Sequence, residues 1–260
     1  WPRRGRCAVI VAVTSWRGWG TTTAALALAS VAALNDEAWL IEADPAGGVL
    51  VGRLPLPRTA LGGLERVAFP VEQCSLVEAW HDVAHDHGPV RVVSAPAEPF
   101  RALACHRPRV DWIGGLHELS GTVVVDAGRL RPGSPAWPLL HAADVVVCVT
   151  AAEVSAAVAT SEWLHVDGRV GPGERGIDVT RVRVVFVDGP GGIAFSRSTM
   201  QADFDDHYAG WLPWDAVGVD RLHNGSLRRG PLWSAAQRVA AHLAASVTAS
   251  AAATEAVGVS

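Results

Sequence analysis

The sequence predicts a doubly wound α/β domain, in which a mostly parallel β-sheet carries helices on both faces. Three observations favour this class. Short, continuous, valine-rich apolar runs recur along the chain, as in strands that are buried on both faces. Segments typical of helices separate these runs. The chain has 260 residues, of which 49% are apolar, and this is enough to fill the core of one large domain.

The predicted elements alternate in the order that a doubly wound domain requires. Strands are predicted at Ala8–Thr14, Ala38–Ile41, Val90–Ser94, Thr122–Asp126, Val145–Thr150 and Val182–Val187. Helices are predicted at Thr21–Leu34, Leu76–His85, Pro99–Cys105, Val110–Leu119, Val154–Val166 and Leu232–Ser246. The last helix has a regular apolar face, which indicates that it packs on the sheet.

No linker or repeat divides the chain, so we predict a single domain over residues 1–249 and a disordered tail over 250–260. The chain does not begin with methionine, and we expect the natural N-terminus to lie upstream. No apolar run approaches the roughly 18 residues that span a bilayer. We therefore expect a cytoplasmic protein without direct membrane insertion.

The charge balance gives no general attraction to nucleic acid or to an anionic membrane, because the net charge is −4. All 22 basic residues are arginine, and the chain contains no lysine. Alanine, valine, glycine and tryptophan are also abundant, so the missing lysines are in part a matter of composition.

The cysteines and histidines favour structural roles over metal binding. The four cysteines form no C-x-x-C pair, and three of them sit in or beside apolar runs. We therefore expect buried free thiols in preference to bridges or zinc ligands, as in a reducing compartment. The histidines and aspartates at positions 81–87 are interpreted as a solvated helix face. A metal site there is the alternative, and it lacks a second cluster of ligands.

The stretch VAVTSWRGWGTTTAALALA, residues 11–29, has the layout of a phosphate-binding loop between a strand and a helix. Gly18 and Gly20 allow the backbone to fold around an anion, and the helix start presents free N–H groups. In the template G-x-x-x-x-G-K-[ST], Thr21 replaces the lysine and Thr22 is the hydroxyl that binds Mg²⁺. Ser15 replaces the first glycine. A tight turn without a ligand is the alternative. The expected nucleotide-binding residues of this loop are Gly18, Trp19, Gly20, Thr21, Thr22 and Thr23.

Two further strands end in acidic residues. The stretch WLIEADPAGG (39–48) ends a strand with Glu42 and Asp44, and TVVVDAGRL (122–130) ends one with Asp126. Parallel strands deliver ligand groups at their carboxyl ends, so these residues and the loop are expected to share one crevice. Asp126 would hold a Mg²⁺-bound water, and Asp44 would orient or activate the attacking water as a catalytic residue.

These motifs, in this order, resemble those of the ParA/MinD family of P-loop ATPases, which have a deviant Walker A motif. SWRGWGTTT resembles the family's KGGxGK[ST]T loop, EADPAGG its D-x-D-P strand end, and VVVDAG its Walker B strand. The resemblance covers roughly residues 7–245. It implies binding of ATP or ADP with Mg²⁺, a homodimer, and a protein partner in a division, pilus or secretion apparatus.

Later stretches extend the resemblance. RVRVVFVDGP and GWLPWD are similar to the family's late strands, whose ends flank the adenine, and this implies base contacts from Asp188 and Pro213. ParA-like proteins hold DNA nonspecifically with basic surface near the C-terminus, where this chain has a cluster of arginines. An ordinary surface or a subunit contact is the favoured interpretation of that cluster. Its members are Arg221, Arg228, Arg229 and Arg238.

The departures from the family pattern concern charge. The family's signature lysine corresponds to Trp16, and Arg17 beside it is the only cation within the loop. Arg17 would act in catalysis or, as we favour, in binding or dimerisation, unless the neighbouring tryptophans hold it by cation–π contact. Loss of both loop lysines predicts slow or absent hydrolysis. Two alternatives are a nucleotide-free pseudo-ATPase scaffold and a metabolic enzyme similar to dethiobiotin synthetase.

Overall fold

The computed structural model describes residues 8–71, 74–164, 169–170, 176–189 and 196–257, with backbone alone for 169–170 and 250–257. The strands of the main sheet are β1 (Val9–Ser15), β2 (Ala38–Glu42), β3 (His85–His87), β4 (Val90–Val93), β5 (Thr122–Arg129), β6 (Val145–Ala151), β9 (Val182–Val187) and β10 (Tyr208–Leu212). A separate antiparallel pair consists of β7 (Arg169–Val170) and β8 (Ile177–Asp178).

The main sheet has eight strands in the order β10-β9-β6-β1-β5-β2-β4-β3. Neighbouring strands are parallel from β10 through β4, and β3 pairs with β4 in the antiparallel direction. The chain passes from β1 to β2 on one side and later adds β6 on the other. The carboxyl ends of β1, β5 and β2 therefore lie side by side at the position where such sheets bind ligands.

Helices cover both faces of the sheet. They are α1 (Thr21–Ala32), α2 (Leu50–Arg53), α3 (Gly63–Ala68), α4 (Leu76–Val83), α5 (Pro99–Ala104), α6 (Trp137–Ala142), α7 (Val154–Leu164), α8 (Arg197–Phe204), α9 (Ala216–His223) and α10 (Pro231–Val257). Short 3₁₀ segments lie at Arg58–Ala60, Gly114–Glu118, Val179–Arg181 and Asp205–His207.

Alternation along the strands builds two cores. In β1, Ile10 and Ala12 point into one core with residues of α3, α4, α6, α7 and α8. Val11 and Val13 point into the other core, which contains residues of α1, α9 and α10. Side chains of successive strand residues lie on opposite faces, so a strand that is apolar at every position needs a helical layer on each side. The predicted fold class is confirmed.

The predicted helix at Val110–Leu119 is wrong, because the segment folds only into the 3₁₀ turn at Gly114–Glu118. Asp111 Oδ1 accepts the Gly114 amide at 3.0 Å, and this local bond competes with helical hydrogen bonding. Two consecutive glycines weaken the helix further. Trp112 is fully buried and its Nε1 donates to the Cys105 carbonyl at 2.8 Å.

The last helix runs to Val257 and not to the predicted end at Ser246, because the alanine-rich sequence that follows retains a high helix propensity. It crosses the predicted domain boundary at residue 249, and that boundary stays a prediction. Among the described residues, no helix combines the length and the apolar character needed to cross a lipid bilayer.

The histidine-rich segment is not a continuous helix face. Helix α4 ends at Val83, and His85–His87 form the edge strand β3 against β4. His87 is buried, and its Nε2 lies 3.0 Å from the Leu222 carbonyl oxygen. Within the described part of the chain, no group of three or more His, Cys, Asp or Glu side chains is placed to hold a metal ion.

The cysteines that fall in the described residues are free thiols. Cys105 and Cys148 are buried, as predicted, and burial raises the pKa of each thiol to about 12. Cys74 is exposed. Cys7 lies outside the described residues.

Candidate functional site

The loop between β1 and α1 has the backbone of an anion-binding turn. Gly18 and Gly20 adopt the left-handed conformation, with φ of +79° and +68°. Gly20 is the N-cap residue of α1. Because glycine has no side chain, the N-cap makes no side-chain hydrogen bond to the first backbone amides of the helix. These amides and the positive end of the helix dipole favour a negative ligand.

Ser15 occupies part of this turn. Its Oγ accepts hydrogen bonds from the backbone amides of Arg17, Gly18 and Trp19, at 3.3, 3.0 and 3.2 Å. Three converging N–H groups are the arrangement that binds an anion in such a turn. Without a ligand, the serine hydroxyl satisfies them, so an incoming phosphate would compete with Ser15 for these donors.

A cavity of about 210 Å³ opens in front of the loop. It is smaller than the ~300–1,000 Å³ of pockets that enclose whole ligands, so it would hold a phosphate chain and leave the rest of a nucleotide outside. Its lining comes from the loop, from β2 and the segment after it, and from the end of β5. The lining residues are Gly18, Gly20, Thr21, Thr22, Glu42, Asp44, Gly47, Val49, Arg53, Gly128 and Arg129.

Asp126 does not line the cavity; it is fully buried beside Thr22, which does. Its Oδ1 accepts the Gly128 amide at 3.0 Å, whereas its Oδ2 has no hydrogen-bond partner in the described part of the chain. Burial raises the pKa of Asp126 to about 6, and the neighbouring Thr22 hydroxyl opposes this rise. The two predicted Mg²⁺ residues are therefore brought together.

This pair fits a Mg²⁺ ion that is also bound to phosphate. A buried carboxylate oxygen without a partner is costly, and a metal-bound water would satisfy it. Thr22 would supply a direct hydroxyl ligand. Because these two residues alone are too few for octahedral coordination, the remaining ligands would be phosphate oxygens and water.

Glu42 stands beside Asp126 in the register of β2 and β5 and is 1% exposed. Its Oε1 accepts the amides of Val49 and Leu50, at 2.5 and 2.9 Å, and its Oε2 accepts the Ala95 amide at 3.1 Å. Burial raises the pKa of Glu42 to about 7; the amide of Val49 acts against this rise, and the charge of Asp126 adds to it. Glu42 thus anchors the chain that follows β2.

Asp44 reaches the cavity from the end of β2, and its Oδ1 accepts the Ala46 amide at 2.8 Å. Burial raises its pKa above the usual value. Gly128 has φ of +63°, and a Cβ atom there would lie 2.1 Å from Asp44 Cγ. A glycine is therefore required for Asp44 to approach β5 so closely.

Arg17 and the loop tryptophans lie on the outer side of the turn. Arg17 is exposed, and its guanidinium carbon lies 5.9 Å from the centre of the Trp19 ring. Trp16 packs edge-on against Trp163 at 4.6 Å between centroids. Arg17, Trp19 and Thr23 do not line the cavity, so their assigned roles stay predictions, and the cation–π arrangement does not favour catalysis by Arg17.

Asp188 and Pro213 follow β9 and β10, away from the cavity lining. The Asp188 carboxylate accepts the indole N–H of Trp211 and lies 3.8 Å from the guanidinium of Arg197. It is therefore already occupied by two neighbours. The role of Asp188 and Pro213 in base binding stays a prediction.

Sequence reasoning missed two cations of the site, Arg53 and Arg129. Both line the cavity, although Arg53 is the last residue of the four-residue helix α2 and Arg129 is the last residue of β5. The only sequence signal was the position of Arg129, three residues after Asp126. Nothing in the sequence marks Arg53, since its place depends on the path of the chain after β2.

Comparison with solved structures identifies the fold. The ParA family ATPase of Chlorobium tepidum TLS matches with a TM-score of 0.69 and 12% identity, over 92% of this chain and 100% of that one. The septum site-determining protein MinD of Pyrococcus horikoshii OT3, complexed with Mg-ADP, matches with a TM-score of 0.66 and 14% identity, over 90% and 94%. The MinC:MinD cell division complex of Aquifex aeolicus matches at 0.56 and 14%, over 92% and 96%.

At these identities the likeness shows the fold, which is that of the ParA/MinD ATPases. No protein-family model matches the chain, and no curated protein matches it in sequence. The fold expected from the resemblance of the three motifs is confirmed.

The raised pKa of Glu42 predicts how stability changes with pH. Between the pKa of an unfolded glutamate, 4.5, and about 7, the folded chain binds a proton that the unfolded chain has lost. The free energy of unfolding therefore falls as pH rises through this window, by up to ~3 kcal/mol from this group. Denaturant titrations from pH 4.5 to 8 in EDTA measure it.

Glu42→Gln should flatten this dependence, and Glu118→Gln, at an exposed position, is the matched control. A wild-type stability that increases from pH 5 to 7 would contradict the burial argument.

The contacts of Ser15 predict that Ser15→Ala strengthens nucleotide binding. The variant removes the competing acceptor, so the affinity for MgADP should rise by about fivefold, the scale of one hydrogen bond. Isothermal titration calorimetry measures the dissociation constant. Ser75→Ala, which removes the N-cap of α4, is the matched control. Weaker binding by Ser15→Ala would mean that the hydroxyl assists the nucleotide.

Proposed function

We propose that this chain is a ParA/MinD-like nucleotide-binding protein with a degenerate Walker A loop. It binds ATP or ADP with Mg²⁺, hydrolyses ATP slowly or not at all, and acts in spatial organisation such as partitioning, septum placement or pilus and secretion placement. The observation that carries the proposal is one phosphate-sized cavity that the loop, Thr22 and Asp44 line, with the buried Asp126 beside Thr22.

Charge at the cavity explains why the nucleotide would need Mg²⁺. Two carboxylates and two arginines line the space, and the buried Asp126 lies beside Thr22 of the lining, so the fully ionised site has an excess of negative charge. A polyphosphate would be repelled by this site unless a divalent cation accompanied it. Thr22 and the unpartnered oxygen of Asp126 supply the protein's share of that cation's surroundings.

Slow hydrolysis follows from the groups that approach the phosphates. Phosphoryl transfer is accelerated mainly by positive charge placed at the transition state, and Thr21 is neutral and short. Asp44 is positioned to orient a water, but its carboxylate is partly engaged with the Ala46 amide. Bound Mg²⁺ would supply charge neutralisation at the phosphates. The protein would then act mainly through the conformation that it has with nucleotide bound, and not through turnover of ATP.

The partners in the proposal come from the family likeness. One similar structure is a complex of MinD with MinC, and we propose that this chain likewise forms a homodimer and recruits a protein partner. The four arginines proposed as a minor DNA-binding surface are exposed on or near α9 and α10. Their exposure supports an ordinary surface as much as a DNA contact.

The test is Mg²⁺-dependent binding in the wild type and in Asp126→Asn. The wild type should bind MgATP with a dissociation constant on the order of ten micromolar or weaker, and binding should fall when EDTA removes Mg²⁺. Asp126→Asn keeps the acceptor for Gly128 but should lose the benefit of Mg²⁺. Asp203→Asn, at an exposed position on α8, is the matched control. Calorimetry measures binding, and phosphate release measures turnover.

The second candidate function is a nucleotide-free scaffold, and the Ser15 contacts favour it, because the hydroxyl accepts three of the loop amides that a phosphate would need. A folded wild type that gives no heat with ATP or ADP at millimolar concentration would replace the nucleotide proposal with this one. No contact at the cavity favours an enzyme similar to dethiobiotin synthetase.

A further inference from the structure

The candidate site lacks the lysines that neutralise phosphate in related loops, and the chain contains no lysine at all. Two guanidinium groups nevertheless line the cavity, from Arg53 and Arg129. We propose that Arg53 and Arg129 together bind the phosphate chain of the nucleotide and take over the role of the missing loop lysines. This inference rests on the proposed nucleotide function, and it names the residues that make that function feasible.

Arg53 is brought to the cavity by the anchor at Glu42. The Glu42 carboxylate holds the amides of Val49 and Leu50, where α2 begins, and Arg53 ends that single turn of helix. Arg53 therefore lines the same cavity as the phosphate-binding loop.

Arg129 reaches the cavity from the end of β5. It ends β5 in register with Ser15, and its Nε donates to the Trp16 carbonyl oxygen at 3.0 Å. This bond ties one nitrogen of the guanidinium to the loop itself. The two terminal nitrogens of the guanidinium are in no ion pair among the described residues. They could donate side by side to two oxygens of one phosphate group.

Neither arginine forms an ion pair with an acidic side chain in the described part of the chain. Other arginines of the fold are so paired, as in Arg66–Asp82, Arg91–Glu37 and Arg101–Glu65. Arg17, the loop cation that the sequence singles out, lies over Trp19 and outside the cavity. Their position at the cavity distinguishes Arg53 and Arg129 from Arg17, and the lack of an ion pair distinguishes them from the three paired arginines.

A guanidinium pair also predicts a particular selectivity. Each group binds phosphate oxygens and makes no use of the base, so affinity should depend on the number of phosphates. ATP and ADP should depend strongly on both arginines, AMP should depend on them less, and adenosine should not depend on them. Inorganic pyrophosphate with Mg²⁺ tests the same contacts without a base.

The experiment is calorimetric titration of MgADP, Mg-pyrophosphate and AMP into the full chain and its variants. Arg53→Gln and Arg129→Gln should each weaken MgADP binding about tenfold, the scale of a charge-assisted hydrogen bond. The matched controls are Arg58→Gln and Arg131→Gln, at exposed positions outside the cavity lining, and each should bind within twofold of the wild type. Thermal unfolding confirms that each variant is folded.

Arg53→Lys and Arg129→Lys keep the positive charge but lose the planar guanidinium, so the affinity for MgADP should fall two- to fivefold. If a glutamine variant does not fold, the lysine variant of the same residue tests the inference in its place. If the wild type binds MgADP and the Arg53 and Arg129 variants match their controls, the inference is overturned and the proposed function stands. If the folded wild type binds neither MgADP nor pyrophosphate, both fail.

Discussion

The candidate site depends on the carboxylate of Glu42, which is buried at the end of β2 and accepts three backbone amides. These bonds fix the start of α2 and the turn after β4 against one strand end. Gly48 allows this arrangement, since a Cβ atom there would lie 2.4 Å from Glu42 Oε2. The position of Arg53 and the shape of the cavity both follow from this anchor.

The same anchor brings two buried carboxylates into adjacent strands. Glu42 and Asp126 lie side by side in register, and the charge of Asp126 adds to the rise in the pKa of Glu42 that burial causes. In the empty state, protonation of one of them relieves the cost of ionising both near neutral pH. A divalent cation beside Asp126 would lower this cost in another way, because its positive charge would favour the ionised carboxylates. Nucleotide and metal would therefore bind to a site that is electrostatically strained without them.

Much of this arrangement follows from local sequence. The strand β1, the glycine turn and α1 have strong local signals, and Asp44 and Asp126 are marked by the apolar strands that they follow. The sequence also predicts β9 at its observed bounds, because its valine run is buried on both faces. These features require no knowledge of distant contacts.

The features that were missed depend on tertiary structure. The Ser15 hydroxyl binds the loop amides only because the turn folds back over it. His87 lies in an edge strand because β4 and the carbonyl of Leu222 are close to it. Arg53 and Arg129 line one cavity because β5 lies between β1 and β2, an order that the sequence does not encode locally.

The most direct test of the central claim is a crystal structure of the chain grown with saturating MgADP. The account predicts the phosphates in the cavity before Gly18–Thr22, with Mg²⁺ about 2.1 Å from the Thr22 hydroxyl and a bound water held by Asp126. The three backbone amides that donate to Ser15 Oγ should then donate to phosphate oxygens. Nucleotide bound elsewhere, or an empty cavity with the Ser15 contacts intact, would contradict it.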